Sequence, residues 1–275
     1  MRPPLSHHRF ALFRCPVCRG DLALVERRLA CTKGHSFDLA RSGYVNLTPA
    51  GKHAPAAGGD TRAQLEHRVR FLARGHFDDV ADVIAEHATP AAAILDAGCG
   101  IGFHVARIAE HVTPQIAVGL DLSKEAVAWC ARRHPDFGFA VADIWSRWPV
   151  HNRSVDLVTS IFAPKNFSEM ARVLRPGGWL AIAFPGPEHL RELRGFGLLG
   201  AAAGKADRYH AELARDFGEP LQRRIAQRVA LEREAVNDAI LMGPSARHLA
   251  GLAPDRVPER VAATIDIVLL IARRR

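Results

Sequence analysis

The sequence predicts an α/β protein in two parts, a doubly wound and mainly parallel sheet preceded by a small metal-binding module. Three observations carry this prediction. Strand-like apolar runs alternate with helix-patterned segments from residue 91 onward, one of those strands opens into a glycine-rich turn, and three of the five cysteines fall in one short stretch, "CPVCRGDLALVERRLACTKGH". A chain of 275 residues with 48% hydrophobic content can bury one substantial core and still spare an appended module. No stretch reaches the roughly 18 consecutive apolar residues of a membrane span. The segment "MRPPLSHHRFALFRCP" has too short an apolar run for a signal peptide, so a soluble, cytoplasmic protein is expected. An odd number of cysteines fits a reducing compartment better than a secreted disulfide framework.

Cys15, Cys18, Cys31 and His35 are spaced C-x2-C-x12-C-x3-H, two short knuckles that each present two ligands to one tetrahedral ion. Thiolates and imidazole suit zinc. Four protein ligands leave no open position for water, and a module of this size has too little core to fold unaided, so the zinc is read as structural. A catalytic zinc of the deaminase kind would need an open position and an H-x-E motif, which does not accompany these cysteines. Phe37, Tyr44 and Val45 follow as residues that could pack against the zinc module. A Gly/Ala/Pro-rich link, made basic by Lys52 and His53 and flexible by Gly58 and Gly59, then runs to Asp60. The expected division is 1–48 as a zinc-binding module, 49–90 as linker and helical connection, and 91–275 as the cofactor domain. Residues 1–60 hold nine Lys/Arg against four Asp/Glu, a surplus that suits a polyanion such as nucleic acid as readily as a plain solvated surface.

In the connection, "TRAQLEHRVRFLARGHF" puts Leu65, Val69 and Leu72 at helical spacing with Gly75 as the stop, and "DDVADVIAEHA" forms a second helix. The strand "AAILDAGCGIGFH" then ends in Gly98, Gly100 and Gly102 after Asp96 and continues into the helix "VARIAEHV". A dinucleotide fold would show G-x-G-x-x-G, whereas here the third glycine comes one residue early, after an acidic residue at the strand end. "QIAVGLDLS" is a second strand ending in Asp121, 23 residues after Gly98, where the ribose-binding carboxylate of such folds sits; an N-cap role before "LSKEAV" is about as expected. "FGFAVAD" is a third strand, ending in Asp143. "VDLVTSIFAP", "WLAIAFP" after an "RPGG" turn, and "DIVLLIARRR" complete a Rossmann-like sheet whose ligands lie at the carboxyl ends of its strands.

The G-x-G-x-G turn after an acid resembles motif I of class I S-adenosylmethionine-dependent methyltransferases, in which Asp96 would help hold the methionine amino group and Asp143 would sit beside the adenine. Over almost its whole length the chain resembles the RlmA-type 23S rRNA guanine-N1 methyltransferases. The matching pieces are the zinc knuckle, "GHSFDLARSGYVNL", "GDT", "FLARGHF", "LDAGCGIGFH", "GLDLSKEAV", "FAPKN", "RVLRPGGW" and "PGPEHLREL". "FAPKN" and "ILMGPSARH" look more like the branch that includes macrolide-resistance enzymes of the tylosin and mycinamicin producers. The resemblance implies a class I Rossmann-like methyltransferase sheet, a zinc module that helps grip a 23S rRNA hairpin near the peptide exit tunnel, and a homodimer. It points to guanine 748 in preference to 745. Carried over by motif, the S-adenosylmethionine site includes Phe77, Gly98, Gly100, Ile101, Asp121 and His189, with a ring in place of the commoner Tyr at Phe77; without the resemblance, His189 would be an exposed first-turn helix residue.

Guanine N1 carries a proton and is a weak nucleophile until it leaves, so a base is expected near the methyl group. Asp143 is the nearest carboxylate for that role, with contact to the cofactor as its alternative. Lys165 or Asn166 would hold guanine O6, and Phe162 or Phe167 would offer a stacking platform, with core packing expected of at least one of the two rings. The rival function is a small-molecule methyltransferase of secondary metabolism, against which the basic N-terminal segment argues.

Overall fold

The computed structural model describes residues 8–49, 60–195, 205–243 and 257–275. The expected basic link, with Lys52, His53, Gly58 and Gly59, lies outside those residues, as does the later part of "ILMGPSARH".

The N-terminal module is a three-stranded antiparallel sheet of β1 (Ala23–Val25), β2 (Arg28–Ala30) and β3 (Ser36–Asp38). Strands of three residues bury almost nothing themselves. Leu29 and Phe13 are fully enclosed only because the module leans on the larger sheet, where Phe13 bridges Val150 and Trp148 and Val150 share their apolar cluster. Val45 shares an apolar cluster with Leu29 and Phe37 of the module and bridges Leu39, as expected. It begins β4 (Val45–Asn46), which pairs in parallel with β7 (Gly138–Val141), so the chain adds an edge strand to the main sheet before reaching the linker.

Helix α1 (Arg62–Leu72) starts at Thr61 in a reciprocal capping box with Gln64 and buries Leu65, Phe71 and Leu72. Gly75, at φ 80°, follows it, and α2 (Asp79–Ala88) leads into the central strand β5 (Ala93–Ala97). Then come α3 (Phe103–Val112), β6 (Ile116–Asp121), α4 (Lys124–Arg133), β7, β8 (Val155–Ile161), α5 (Phe167–Val173) and β9 (Leu174–Pro185). Short helices α6 (Arg191–Gly195) and α7 (Lys205–Leu213) precede β10 (Leu221–Glu232), α8 (Arg233–Leu241) and β11 (Arg260–Arg273).

The eight-stranded sheet has the order β10-β11-β9-β8-β5-β6-β7-β4. Its β9-β8-β5-β6-β7-β4 portion is parallel, while β11 and β10 run antiparallel at one end. Along β5, Ile94 joins the cluster on one face and Ala93, Leu95 and Ala97 the cluster on the other, the period-two division of a sheet covered on both sides. From β5 the chain moves outward through β6 and β7, then returns to place β8 on the opposite flank. That reversal opens a crevice outside the carboxyl ends of β5 and β8, the position where such sheets bind ligands. The strand expected to end in Asp143 stops at Val141, which leaves Asp143 in the loop beyond.

Candidate functional site

Cys15, Cys18, Cys31 and His35 converge at the edge of the small sheet, their ligand atoms all within 4.8 Å of one another. Cys18 Sγ is 3.6 Å from Cys31 Sγ, and Cys31 Sγ is 3.4 Å from His35 Nδ1. A tetrahedral zinc with Zn–S near 2.3 Å and Zn–N near 2.0 Å sets ligand atoms about 3.5–3.8 Å apart, so the donor set fits that ion and fills its coordination.

At the crevice, Gly98, Gly100 and Gly102 all have positive φ. Gly98 must be glycine for a second reason: a Cβ there would drive into the Ala163 methyl on the loop after β8. The turn is pinned from below. Gly98 and Cys99 donate to the Leu120 carbonyl at 2.8 and 3.0 Å, and the Gly100 N–H donates to Asp121 Oδ2 at 2.8 Å. Asp121 Oδ1 accepts from Ser123 N–H at 2.9 Å, while the N-cap of α4 is Ser123 itself, which accepts from Ala126 N–H. The N-cap alternative for Asp121 is thereby removed. Burial pushes the Asp121 carboxyl up from its ordinary range, opposed by those two N–H groups.

Asp96 is deeper. It is 2% exposed, takes a 2.8 Å hydrogen bond from Thr159 Oγ1, and has its pKa raised to about 7 by burial, with the charge of Asp121 acting in the same direction. Above the turn stands Arg68, a residue that sequence reasoning passed over. It pairs with Asp60, donates to the Met242 carbonyl at 2.7 Å, and is the one side chain that a Cβ on Gly100 would approach, at 3.4 Å. Within its helix the spacing of Arg68 matches any solvated charge, so nothing local marks it.

Phe77, Ile101 and His189 are gathered here as expected. Ile101 is 7% exposed, and the Phe77 ring meets Phe162 at 5.4 Å and His189 at 6.1 Å, both edge-on. His189 accepts from Asp266 N–H through Nδ1 at 3.2 Å, and burial lowers its pKa to about 4, so the imidazole is neutral at pH 7. His104, not anticipated, lies nearly parallel to Phe162 at 6.5 Å, its pKa lowered to about 3 by burial and by Arg68. Phe162 has φ 52°, a strained conformation for an aromatic residue and one that recurs at binding sites, and it is 39% exposed. Phe167 is instead a core residue, 7% exposed and packed edge-on against Tyr209.

Two further expectations fail. Lys165 is buried, its Nζ donating to the carbonyls of Ser160 and Ala163 at 2.7 Å, so it holds the loop after β8 and does not offer its charge to a base. Asn166 caps α5, accepting from Glu169 N–H, while its Nδ2 donates to the Ile144 and Trp145 carbonyls at 3.0 and 3.3 Å. Its amide ties two loops together. Asp143 accepts from Trp145 N–H at 2.9 Å and from Ser146 Oγ at 2.6 Å, one hydrogen bond on each oxygen.

The donor set around the turn fits S-adenosylmethionine: a strand-end carboxylate for a ribose diol, a cation in Arg68 for the amino acid's carboxylate, and backbone left uncovered by glycine.

Comparison with known proteins agrees with this geometry. Residues 94–178 match the methyltransferase-domain family, and residues 13–54 match the zinc ribbon family described as the RlmA N-terminal region. A candidate 23S rRNA (guanine-N1)-methyltransferase of Micromonospora griseorubida is 38% identical over 298 aligned positions, covering 100% of this chain and 98% of that protein. The 23S rRNA (guanine(748)-N1)-methyltransferase of Streptomyces fradiae is 36% identical, with 90% of this chain and 89% of the relative covered. Among solved structures, the Bacillus subtilis protein YcgJ superposes with a TM-score of 0.50 at 16% identity, covering 72% of this chain and 98% of its own, a likeness of fold alone.

Proposed function

The chain belongs to the 23S rRNA (guanine-N1)-methyltransferases, an S-adenosylmethionine-dependent family with a structural zinc ribbon, and from that membership we propose that it methylates guanine 748 in a hairpin loop near the peptide exit tunnel. The observation that carries the choice of position is the similarity to the Streptomyces fradiae enzyme over 90% of this chain. Residues 1–48 serve RNA recognition, 49–90 connect, and 91–275 carry the transfer, within a cytoplasmic homodimer. Among the described residues no helix is long and apolar enough to cross a membrane. Methylation at the tunnel wall would remove or crowd a contact made by a macrolide, which gives the reaction a role in resistance.

S-adenosylmethionine supplies a methyl group already activated by its sulfonium, so the protein's work is alignment, exclusion of water and removal of one proton. Asp121 would hold the ribose hydroxyls, Asp96 the methionine ammonium, and Arg68, on exchanging its Asp60 partner, the methionine carboxylate. Gly98, Gly100, Ile101 and Gly102 line the approach, and Phe77 and His189 wall it. The target guanine enters beside Phe162. Asp143 takes the N1 proton, since each of its oxygens accepts only one hydrogen bond and keeps a free lone pair.

A methyl on N1 blocks the Watson–Crick edge and halts reverse transcriptase one nucleotide short. Primer extension on 23S rRNA treated with protein and cofactor should give one new strong stop at 748. No stop on naked or ribosome-assembled RNA, together with transfer to a small metabolite, would give the protein to the rival function.

A further inference from the structure

We infer that the seam between the zinc ribbon and the main sheet, where Arg14, Arg19 and Arg147 gather beside an exposed Trp145, is a track for a single-stranded stretch of the RNA substrate, with phosphates on the guanidinium groups and a base on the indole. This rests on the rRNA methyltransferase reading and adds to it the place where the strand is held.

Arg14 and Arg147 lie close enough to Arg19 for their charges to act on it, and Trp145 stands two residues before Arg147. Arg14 N–H donates to the Pro149 carbonyl at 3.0 Å, next to the Phe13–Val150 bridge, and Arg19 N–H donates to the Cys15 carbonyl at 2.9 Å, closing the turn of the first knuckle. Arg147, Arg172 and Arg14 all act as repelling charges on Arg19, with Glu169 as the opposing carboxylate. Glu169 is already committed: Arg172 donates to it at 2.6 and 2.8 Å. Asp21, 94% exposed at its side chain, leans toward His151 at 3.7 Å, and the metal centre adds one negative charge, three thiolates around a dication. Among the described residues, Arg14, Arg19 and Arg147 have no ion pair, and Arg14 Nε and Arg19 Nη1 are buried without a hydrogen-bond partner. An anion placed in the seam would give these donors the partner that the protein does not. RNA phosphates supply one at each step along the strand.

Trp145 is 68% exposed, whereas Trp148, three residues on, is fully buried and donates from Nε1 to the Ile144 carbonyl. The Trp145 backbone is fixed on both sides, by Asp143 Oδ1 on its N–H and by Asn166 Nδ2 on its carbonyl. An exposed indole on a pinned loop is a stacking platform that loses little freedom when a base covers it. Asp143, the proposed base, stands two residues away in the same loop and accepts from the Trp145 N–H.

The test uses the full-length zinc-loaded protein and in vitro transcribed 23S rRNA, with filter binding across a salt series. R19Q/R147Q should flatten the slope of log affinity against log salt by about 1.4, two single-strand contacts at roughly 0.7 each, while affinity for S-adenosylmethionine stays unchanged. Its melting temperature should not fall, because an unsatisfied buried donor has been removed; this separates lost contact from lost fold. R62Q/R260Q, the same charge removed from exposed positions elsewhere, should leave the slope near wild type. W145A should weaken RNA binding about 5- to 100-fold with the slope intact. RNA should also quench tryptophan fluorescence in wild type more than in W145A. If wild type produces the primer-extension stop yet R19Q/R147Q and W145A bind RNA with unaltered affinity and slope, the track is overturned alone. If wild type gives no stop on any 23S rRNA, the methyltransferase reading falls and the track falls with it.

Discussion

Replacing Asp121 with Ala tests the cofactor site at its most connected residue. Each oxygen accepts a backbone N–H, Gly100 at 2.8 Å and Ser123 at 2.9 Å, and under the proposed assignment the same oxygens would receive the ribose hydroxyls. Loss of a charge-assisted pair to the ribose costs about 1.5–3 kcal/mol, a factor of about 10–100 in affinity. Loss of the two internal acceptors strands donors at about 1–3 kcal/mol each. Two features reduce that second cost: Asp121 is only partly buried, so water can refill the space, and its own charge is disfavoured by burial and by nearby Asp60. We expect a net loss of about 2 kcal/mol in urea unfolding, together with the 10- to 100-fold drop in S-adenosylmethionine affinity by calorimetry. D121N keeps one acceptor oxygen and turns a donor toward the other N–H, so it should fall between the two proteins. A folded D121A that binds within twofold of wild type would refute the assignment.

Cys18→Ser should lower bound zinc from one per chain to a substoichiometric level by metal analysis and unfold the small sheet, because the ion supplies most of that module's folding free energy; cofactor affinity should survive, and its loss alongside intact RNA binding would reverse our division of labour. Asp96 has its pKa raised to about 7 by burial, so its contribution to stability is fully present below about pH 4 and is lost as pH rises through 7. D96N, which keeps an acceptor for Thr159, should therefore gain stability relative to wild type between pH 4 and 8 in urea titrations, and parallel curves would contradict the buried carboxyl. Gly98→Ala meets both a φ of 80° and the Ala163 methyl, and should cost about 1–3 kcal/mol in unfolding and abolish measurable cofactor binding; a variant that titrates like wild type would show the turn to be more pliable than its contacts suggest.

Much of this architecture was legible because spacing carries it. Ligand intervals pointed to the zinc site, and a glycine turn followed by an acid at the next strand end marked the crevice at which the cofactor is proposed to bind. Lys165 and Asn166 were misread for the opposite reason: a polar side chain aimed at its own backbone carbonyls has the same letters as one aimed at a substrate. "DIWSRWPV" hides a similar ambiguity, one Trp buried and one exposed, which only the course of the loop decides. Strand β10 escaped notice because polar residues break its apolar run, Arg223 and Arg224 side by side and Gln227 on the inward face, although its burial alternates from Ile225 onward. Arg68 and His104 needed the crevice itself, since what distinguishes them is where α1 and α3 bring them.

Strand β4 has a consequence for how the chain is made. Val45 and Asn46 leave the ribosome long before Ala140 and Val141, so the cap for β7 is already waiting when that strand appears, and the sheet margin need not meet a neighbouring molecule first. The arrangement makes the metal a guardian of solubility as well. A module that sheds its ion loosens its grip on the strand it carries, and the uncovered margin of β7 becomes a template for self-association, so zinc starvation should show itself in cells as aggregated enzyme before it shows as undermethylated RNA.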